Sequence, residues 1–331
     1  MTLAYIPITL TNNESTATAT SFQQLLQNIN MRDYFQFLNA DLSNVYFSSD
    51  SAGATVINSW IESGNTNIST DTTFWVVTSI AANSTITIYL QVDLSGTNHL
   101  NTTTTGVAPQ LTSTYAEYDN GADVFNYYQR WGGLSALPGG WTNTGLTATF
   151  SATSTAITGT SRQFIYTTNS AAIAYPQTVD FYMNAYGNGE AWFGYWQTAA
   201  PTSDVYTYSI GETATTGTTN VDAEFFANSG TATSYTDTNN AKIYSIEGIT
   251  STSVNHMADY TTNIYSNTAA TSFTIAALQF ENNGGAGYTD LYWLRTRATP
   301  PNGVMPSVSL GTPSGFPYVN TTSSVTEVLD F

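Results

Sequence analysis

Two acidic residues on one expected strand are the first candidates for chemistry in this sequence. Asp222 and Glu224 are separated by Ala223, and Glu190 stands two residues before Trp192. Glycoside hydrolysis needs two carboxyl groups about 5–9.5 Å apart across a cleft, and these acids offer the residue types for it. Isolated acids of this kind are more often solvated strand residues. The sequence therefore favours a protein that is not an enzyme, with a secreted glycan hydrolase as the less favoured alternative.

Metal and nucleophilic chemistry lack the residues they need. The two histidines, His99 and His256, are far apart in the sequence and have no zinc-ligand spacing. No Ser-His-Asp set stands in a recognisable framework. The chain has no cysteine, which excludes disulfides and thiolate metal sites. Core packing must therefore stabilise the fold.

One acidic turn has ligands that calcium could use. Asp119-Asn120-Gly121 is followed by Asp123, and Ca²⁺ prefers oxygen ligands of this kind. The segment is not the complete loop of a calcium hand, and Asn-Gly is a turn dipeptide. A tight turn is the favoured interpretation, so we expect no cofactor, with calcium at Asp119 and Asp123 as the alternative.

A dense aromatic run is the best candidate for ligand binding. The predicted binding residues are the rings of Tyr186, Trp192, Tyr195 and Trp196, with Asn188 beside them. Sugars stack their C–H faces on aromatic rings and pair their hydroxyls with amide groups, so these residues could form a glycan platform. The alternative is that alternate rings fill a sandwich core, because a strand buries every second residue. The core interpretation is the favoured one, and the platform is kept beside it.

The few basic residues are expected to pair with acids. The six are Arg32, Arg130, Arg162, Lys242, Arg295 and Arg297. Arg295 and Arg297 lie on one face of an expected strand, with Tyr292 and Thr296 opposite. We predict that these arginines pair with Asp119 or Asp123 on an adjacent strand.

Very little of the chain is charged. Asp, Glu, Lys and Arg make up 9% of its residues, against about 25% in an ordinary soluble domain. The formal net charge of −17 and the lack of a basic cluster disfavour binding to nucleic acids. The neutral polar groups of Thr, Ser, Asn and Tyr must therefore hydrate the surface, which indicates a protein of the cell or particle exterior. Since few carboxylates can be paired, we expect the fold to lose little stability in an acidic exterior.

Targeting signals are sparse. No charged and apolar leader opens the sequence, and no apolar run approaches the roughly 20 residues that span a bilayer. We therefore expect no membrane insertion, and either a removed leader or release by assembly and cell lysis, as for virion proteins. Five Asn-X-Ser/Thr sequons would accept glycans in a secreted chain: Asn13, Asn67, Asn83, Asn101 and Asn320.

The dominant local pattern is alternation with period two, which is typical of half-buried strands. It covers residues 6–10, 86–90, 179–183, 192–196, 205–210, 273–277 and 291–296. Helical spacing begins at Phe22, but β-favouring aromatics weaken it, so we predict a strand near 22–29 and a short helix near 32–39. The pattern favours packed antiparallel sheets.

The first third of the chain resembles a known family of surface domains. The matching pieces are YIPITL (5–10), DLSNVYF (41–47), INSWIES (57–63), FWVV (74–77) and AANSTITIYL (81–90). Their order and spacing are similar to a prokaryotic, archaeal-type surface-protein domain of unknown function.

The remainder resembles a concanavalin-type or LamG-like jelly roll. The matching pieces are YAEYDNGADVF (115–125), residues 134–141, the closing strand DLYWLRTR (290–297) and the exit PPNGVMP (300–306). The resemblance implies pairing of the first and last strands, and glycan or surface binding, although the fold also hosts hydrolases. We therefore predict an all-β chain with two antiparallel β-sandwich domains in tandem, at 1–108 and 109–310, followed by a linker and tail at 311–331.

The sequence favours a non-enzymatic structural or recognition protein on a virion or archaeal cell surface. Its expected partners are glycans, host or neighbouring surface proteins, and further copies of itself. The alternative is a subunit of an extracellular filament or surface layer, in which residues 3–10 or the tail 325–331 would complete a neighbour's sheet.

Overall fold

The chain folds almost entirely into antiparallel β-strands. The computed structural model describes residues 3–100, 106–111, 119–159, 163–186, 190–200, 206–215, 218–225, 230–231, 235–237, 241–268, 275–282 and 288–317. In these segments the helical pieces are short: 3-10 helices at Met31–Phe37 and Pro301–Gly303, and an α-helical turn at Gly121–Val124. The strands of the described segments form four antiparallel sheets, so the predicted all-β class is confirmed.

The first sandwich packs two sheets from the N-terminal part of the chain. Its strands are β1 (Leu3–Asn12), β2 (Phe22–Ile29), β3 (Val45–Ser48), β4 (Val56–Ile57), β5 (Ser59–Ser63), β6 (Thr72–Thr78) and β7 (Ser84–Asp93). Sheet A contains the order β1-β7-β3-β4, and sheet B has the order β2-β6-β5. The predicted strand and short helix after residue 22 are β2 and the 3-10 helix at Met31–Phe37.

Alternation places the apolar side chains of sheets A and B in a common core. Ile8 of β1 and Leu90 of β7 pack in one buried cluster with Leu26 and Phe74 of sheet B. Thr87, next to the core residue Ile88, is exposed. The period-two pattern at residues 86–90 is therefore a half-buried strand, as predicted.

The second sandwich is a jelly-roll-like pair of larger sheets. Its strands are β8 (Tyr127–Arg130), β9 (Trp141–Asn143), β10 (Thr147–Phe150), β11 (Thr155–Thr158), β12 (Gln163–Thr167), β13 (Thr178–Tyr186), β14 (Glu190–Trp196), β15 (Tyr206–Thr215), β16 (Thr218–Phe225), β17 (Gly230–Thr231), β18 (Tyr235–Asp237), β19 (Lys242–Thr250), β20 (Ser253–Ala258), β21 (Thr262–Thr268), β22 (Ala277–Asn282) and β23 (Tyr288–Arg297). Sheet C has the order β10-β11-β23-β13-β19-β20-β21, with β8 also on β23, and sheet D has the order β17-β16-β15-β14-β22-β12-β9, with β18 on β16.

Aromatic rings fill the space between sheets C and D. Phe193 of β14 lies 4.0 Å from Phe181 of β13 and 4.2 Å from Phe280 of β22, between ring centroids. Of the predicted strand at 273–277, residues 273–274 lie outside the described residues, and Ala277 begins the ladder to β12 and β14 that runs through Ala277–Asn282.

The closing strand of the jelly roll pairs close to its start, as the resemblance implied. Tyr127 of β8 is opposite Thr296, and Arg130 is opposite Trp293 of β23. The described part of the segment expected to open the fold, residues 119–125, contains the helical turn Gly121–Val124. The pairing strand therefore begins two residues after that segment.

The chain then returns to the first sandwich. Strand β24 (Ser307–Leu310) pairs with β1 and forms the edge of sheet A. Beyond it, Ser314 bridges to Tyr5, and the ring of Phe316 lies 5.0 Å from that of Tyr34. Ending the second domain at residue 310 and placing a linker at 311–331 is therefore wrong for the described residues 307–317. The predicted boundary at 108 lies between β7 and β8 and stays a prediction.

The four sheets are stacked in the order A, B, C, D. Sheet B uses one face for the core of the first sandwich and the other, with Trp60 and Trp75, for the jelly roll. On β13, Phe181 faces sheet D while Asp180 faces the opposite way. The interface between sheets B and C is therefore as deeply buried as a domain core.

Candidate functional site

The predicted aromatic platform does not present its rings at the surface. Tyr195 and Trp196 are fully buried and Trp192 is 6% exposed. The structure contradicts the platform at these three positions, because a buried ring offers no face for a sugar to stack on. Tyr186 ends strand β13 and Asn188 lies outside the described residues, so the platform stays a prediction at those two.

The proposed calcium ligands serve other partners. One carboxylate oxygen of Asp119 accepts hydrogen bonds from Trp60 Nε1 at 2.9 Å and the Gly121 amide at 3.0 Å, and the other accepts the Tyr128 hydroxyl at 2.8 Å. Asp123 belongs to the helical turn after Asn120 and is exposed. Within the described residues, no group of three His, Asp or Glu side chains could hold a metal ion.

Arg295 is enclosed by aromatic rings where sheets B and C meet. Its guanidinium carbon lies between 4.3 and 5.8 Å from five ring centroids, and the side chain is completely buried. The rings are Trp60, Trp75, Phe125, Tyr260 and Trp293. Two come from the first sandwich and three from the second, so the cation–π contacts join the domains.

Two acids from different domains neutralise this arginine. Nε of Arg295 donates to Asp180 at 2.9 Å, and Nη1 lies 2.9 Å from Glu62 of strand β5. Glu62 also accepts hydrogen bonds from Trp75 Nε1 and the Tyr260 hydroxyl. The predicted pairing of Arg295 with Asp119 or Asp123 is wrong, because β8 places Arg130, 3.5 Å away, beside Asp119 instead.

Asp180 accepts hydrogen bonds from several side chains, which together form a network around Arg295. Its carboxylate also accepts hydrogen bonds from Arg297 at 2.9 and 3.2 Å and from the Ser245 hydroxyl at 2.7 Å. Burial alone would raise the pKa of Asp180, but Arg297 and Arg295 outweigh it and hold the pKa below its ordinary value. The carboxylate is thus held ionised and fully engaged.

A cleft of about 300 Å³ lies beside this network, between the two domains. Leu25 and Gln27 of β2 line it from the first domain, and Glu247 and Arg297 line it from the second. The connection at residues 300–306, which leads from β23 to β24, forms a further wall. Its volume is at the lower end of the range for small-molecule sites.

Two polar side chains that line the cleft could form more hydrogen bonds than they form within the described residues. Glu247 is 4% exposed and accepts one hydrogen bond from Asn255 at 3.3 Å. Burial raises the pKa of Glu247, and the positive charge of Arg297 offsets only part of that effect. Arg297 is 3% exposed, and its Nη1 has no hydrogen-bond partner among the described residues. The cleft therefore offers a donor and an acceptor on otherwise partly apolar walls.

The acids at and beside the cleft are engaged to different extents. Asp180 is held by two arginines and a serine, so it has no place left for a reacting group, and Glu247 is the acid that lines the cleft. Asp222 and Glu224 lie on β16, in register with Gly211 and Ser209 of β15. Glu190 begins β14.

The two histidines are structural in different ways. His99 lies 3.1 Å from Asp93 at the end of β7. His256 is completely buried on β20, between Ile246 and Tyr265 in the ladder. Burial lowers the pKa of His256 to about 4, so it is neutral in the core at neutral pH.

The described sequons differ in accessibility. Asn13 and Asn83 are exposed, whereas Asn67 is half-buried and donates to the carbonyls of Phe35 and Leu38 at 3.4 and 3.3 Å. Asn101 and Asn320 lie outside the described residues. Glycosylation stays a prediction. A glycan on Asn67 would displace the two hydrogen bonds of its side chain, whereas Asn13 and Asn83 are exposed.

Sequence reasoning missed the domain interface, although its signal was present. Trp60 precedes Ile61, and Phe74 precedes Trp75. Neighbouring residues of a strand point to opposite faces, so two adjacent large apolar residues indicate a strand buried on both faces. This pattern marks sheet B as an inner layer.

Fold and site together define a chain of two antiparallel β-sandwiches joined by a buried ionic and aromatic interface. No family model matches the chain. A stretch of 123 residues is 43% identical to uncharacterized protein 562 of Sulfolobus islandicus rod-shaped virus 1. The match covers 37% of this chain and 21% of the viral protein, so this chain spans about a fifth of that relative. A viral relative therefore exists.

Three solved structures are similar to part of this chain at low sequence identity. Carbohydrate binding module CBM66 from Bacillus subtilis is 12% identical, with 48% of this chain and 96% of that chain covered and a TM-score of 0.34. The Emp47p carbohydrate recognition domain is 9% identical, with 52% and 95% covered and a TM-score of 0.39. The Ca²⁺-bound VIP36 exoplasmic/lumenal domain is 10% identical, with 56% and 97% covered and a TM-score of 0.36. Among the residues described in this chain, no helix is long and apolar enough to cross a membrane.

Proposed function

We propose that this chain is a non-enzymatic structural and recognition protein of a virion or archaeal cell exterior, which binds glycans or the surface of a host or neighbouring cell. One observation carries the proposal. The buried acids Asp180 and Glu62 are engaged by arginines at the domain interface, while a cleft of ligand size with free polar groups lies beside them. The site is thus suited to holding a ligand without transforming it.

The viral relative and the composition support the exterior location. The relative belongs to a rod-shaped virus, and the chain has 9% charged residues. Lys242 pairs with Asp259, while Arg295 and Arg297 pair with Asp180. With these cations paired, hydroxyl, amide and carboxylate groups are what the molecule offers to a partner, which suits polyhydroxylated surfaces.

The filament alternative is narrowed by strand β1. This strand pairs with β7 along residues 3–12 and with β24 at residues 8–11, and Tyr5 bridges to Ser314. Donation of residues 3–10 to a neighbour would therefore break pairings within the strand's own sheet. The tail at 325–331 lies outside the described residues. Strand addition through that tail is the version of the alternative that stays open.

A glycan array followed by product analysis tests the proposed function. We expect the complete chain to bind a subset of glycans saturably and to leave them intact by mass spectrometry. The double variant Asp222→Asn, Glu224→Gln should bind to the same extent. Cleaved glycans that stay intact with the double variant would establish the hydrolase instead, and filaments without glycan binding would favour the assembly alternative.

A further inference from the structure

Two charged side chains that line the cleft between the domains have hydrogen-bonding capacity that the rest of the described fold does not use. Arg297 and Glu247 both line this cleft. The buried Nη1 of Arg297 has no hydrogen-bond partner among the described residues, and the carboxyl group of Glu247 accepts a single hydrogen bond there, from Asn255. Both side chains are more than nine-tenths buried. An unpaired buried guanidinium nitrogen is costly unless a ligand or water satisfies it.

The apolar walls suit the carbon faces of a ligand. Leu25 and Met257 line the cleft from the two domains, and Pro300, Met305 and Pro306 line it from the connection. Tyr260 is also at the wall, where its hydroxyl is already bonded to Glu62. A ligand that fits must therefore combine apolar faces with a few hydroxyl groups.

Charges of both signs line the cleft, those of Glu247 and Arg297. A ligand carboxylate that bonds to Arg297 would be repelled by Glu247 when that group is ionised, and a ligand cation that bonds to Glu247 would be repelled by Arg297. A neutral ligand with adjacent hydroxyls can accept from Arg297 and donate to Glu247 at the same time.

We infer that the interdomain cleft holds one neutral sugar ring, with Arg297 as the donor and Glu247 as the acceptor to its hydroxyl groups. This inference rests on the proposed function and assigns it a place in the molecule. A volume of about 300 Å³ suits one ring with its substituents and not an extended oligosaccharide. Since the walls come from both domains, the site exists only when the two sandwiches are docked.

Blocking variants at the rim test the assignment without disturbing the core. Gln27 and Thr261 line the cleft from opposite domains and are exposed, so Gln27→Trp and Thr261→Trp fill the entrance. Thr262, the next residue along, is exposed but does not line the cleft. Thr262→Trp is therefore the matched control.

Binding is measured by saturation-transfer difference NMR on the complete chain, with methyl α-mannoside, methyl α-glucoside, methyl β-galactoside and N-acetylneuraminic acid as probes. We expect at least one neutral methyl glycoside to bind, a tenfold or greater loss with Gln27→Trp and Thr261→Trp, and less than a twofold change with Thr262→Trp. Thermal melts of each variant verify folding.

The outcomes separate this inference from the proposed function. Unchanged glycoside binding in both blocking variants would place the sugar elsewhere and overturn the assignment while glycan recognition stands. Preference for N-acetylneuraminic acid, or a positive glycan array with no neutral glycoside bound, would also overturn it. If neither the array nor the probes give binding, glycan recognition fails as part of the proposed function, and this inference fails with it.

Discussion

Replacement of Asp180 by Asn is expected to lower the free energy of unfolding by about 3–5 kcal/mol, the usual cost of breaking a buried ion pair. The amide has nearly the size of the carboxylate, so packing is preserved. What is lost is the negative charge that faces Arg295 and Arg297, both of which are buried. Urea denaturation at pH 7, followed by circular dichroism, measures this difference.

Asp259→Asn provides the control for this variant. Asp259 pairs with Lys242 at 3.1 Å, but its side chain is 49% exposed, so its loss should cost about 1 kcal/mol or less. The pKa of Asp180 is lowered in the fold, so its contribution is present above the ordinary Asp pKa and is lost as pH falls toward the folded value. Equal effects of the two substitutions at pH 7 would contradict a special role for Asp180.

Protonation of His256 is expected to be a large acid-sensitive effect of the core. Its pKa is about 4 in the fold against 6.5 for an ordinary histidine. Because the unfolded chain binds this proton first, stability falls as pH decreases from about 6.5 to 4, by roughly 3 kcal/mol in total. Below the folded pKa both states are protonated, and the loss from this group stops.

His256→Phe removes this titration and keeps a ring in the core. We expect the variant to lose less stability than the wild type between pH 7 and pH 4, measured by urea denaturation at steps of half a pH unit. His99→Phe is the comparison variant, because it replaces a partly exposed histidine beside Asp93. Parallel pH curves for the wild type and His256→Phe would show that His256 does not titrate as its burial implies.

His256 also limits the expectation that this fold tolerates acid. Scarce carboxylate pairs reduce one cause of acid unfolding, but a buried neutral imidazole adds another. The composition reveals the first effect and not the second, because nothing in the sequence shows that His256 faces the core. Acid tolerance of the whole chain stays a prediction, which melts at pH 3 and pH 7 would test.

Local periodicity was sufficient to predict many of the elements. Alternation at residues 86–90 and 179–183 lies within β7 and β13, and the weakened helical spacing after Phe22 gave a strand and a short helix. These features depend on which side chains are neighbours along the chain, and a sequence shows that directly. The class of fold follows from them.

Pairings across long sequence distances could not be predicted in the same way. Arg295 reaches Glu62, more than 200 residues away, and β24 returns to β1 across the whole chain. A sequence indicates that Arg295 and Arg297 need acids, but the choice among 23 acidic residues depends on how the sheets stack. The nearest acids along the expected strand order, Asp119 and Asp123, were therefore the wrong choice.

The aromatic run shows the same limit for the candidate site. Trp192, Tyr195 and Trp196 have the composition of a sugar platform, yet burial decides their role. The cleft at Glu247 and Arg297 has no motif in the sequence, since its walls come from two domains and a connection between them. Such sites become visible only after the domains are docked.

Differential scanning calorimetry of the complete chain tests most directly the claim that its buried ions serve to join the two sandwiches. If the interface around Arg295 couples them, the chain should unfold in one transition whose calorimetric and van't Hoff enthalpies agree. Two separate transitions in the wild type would contradict the account, because they would show that the sandwiches unfold independently.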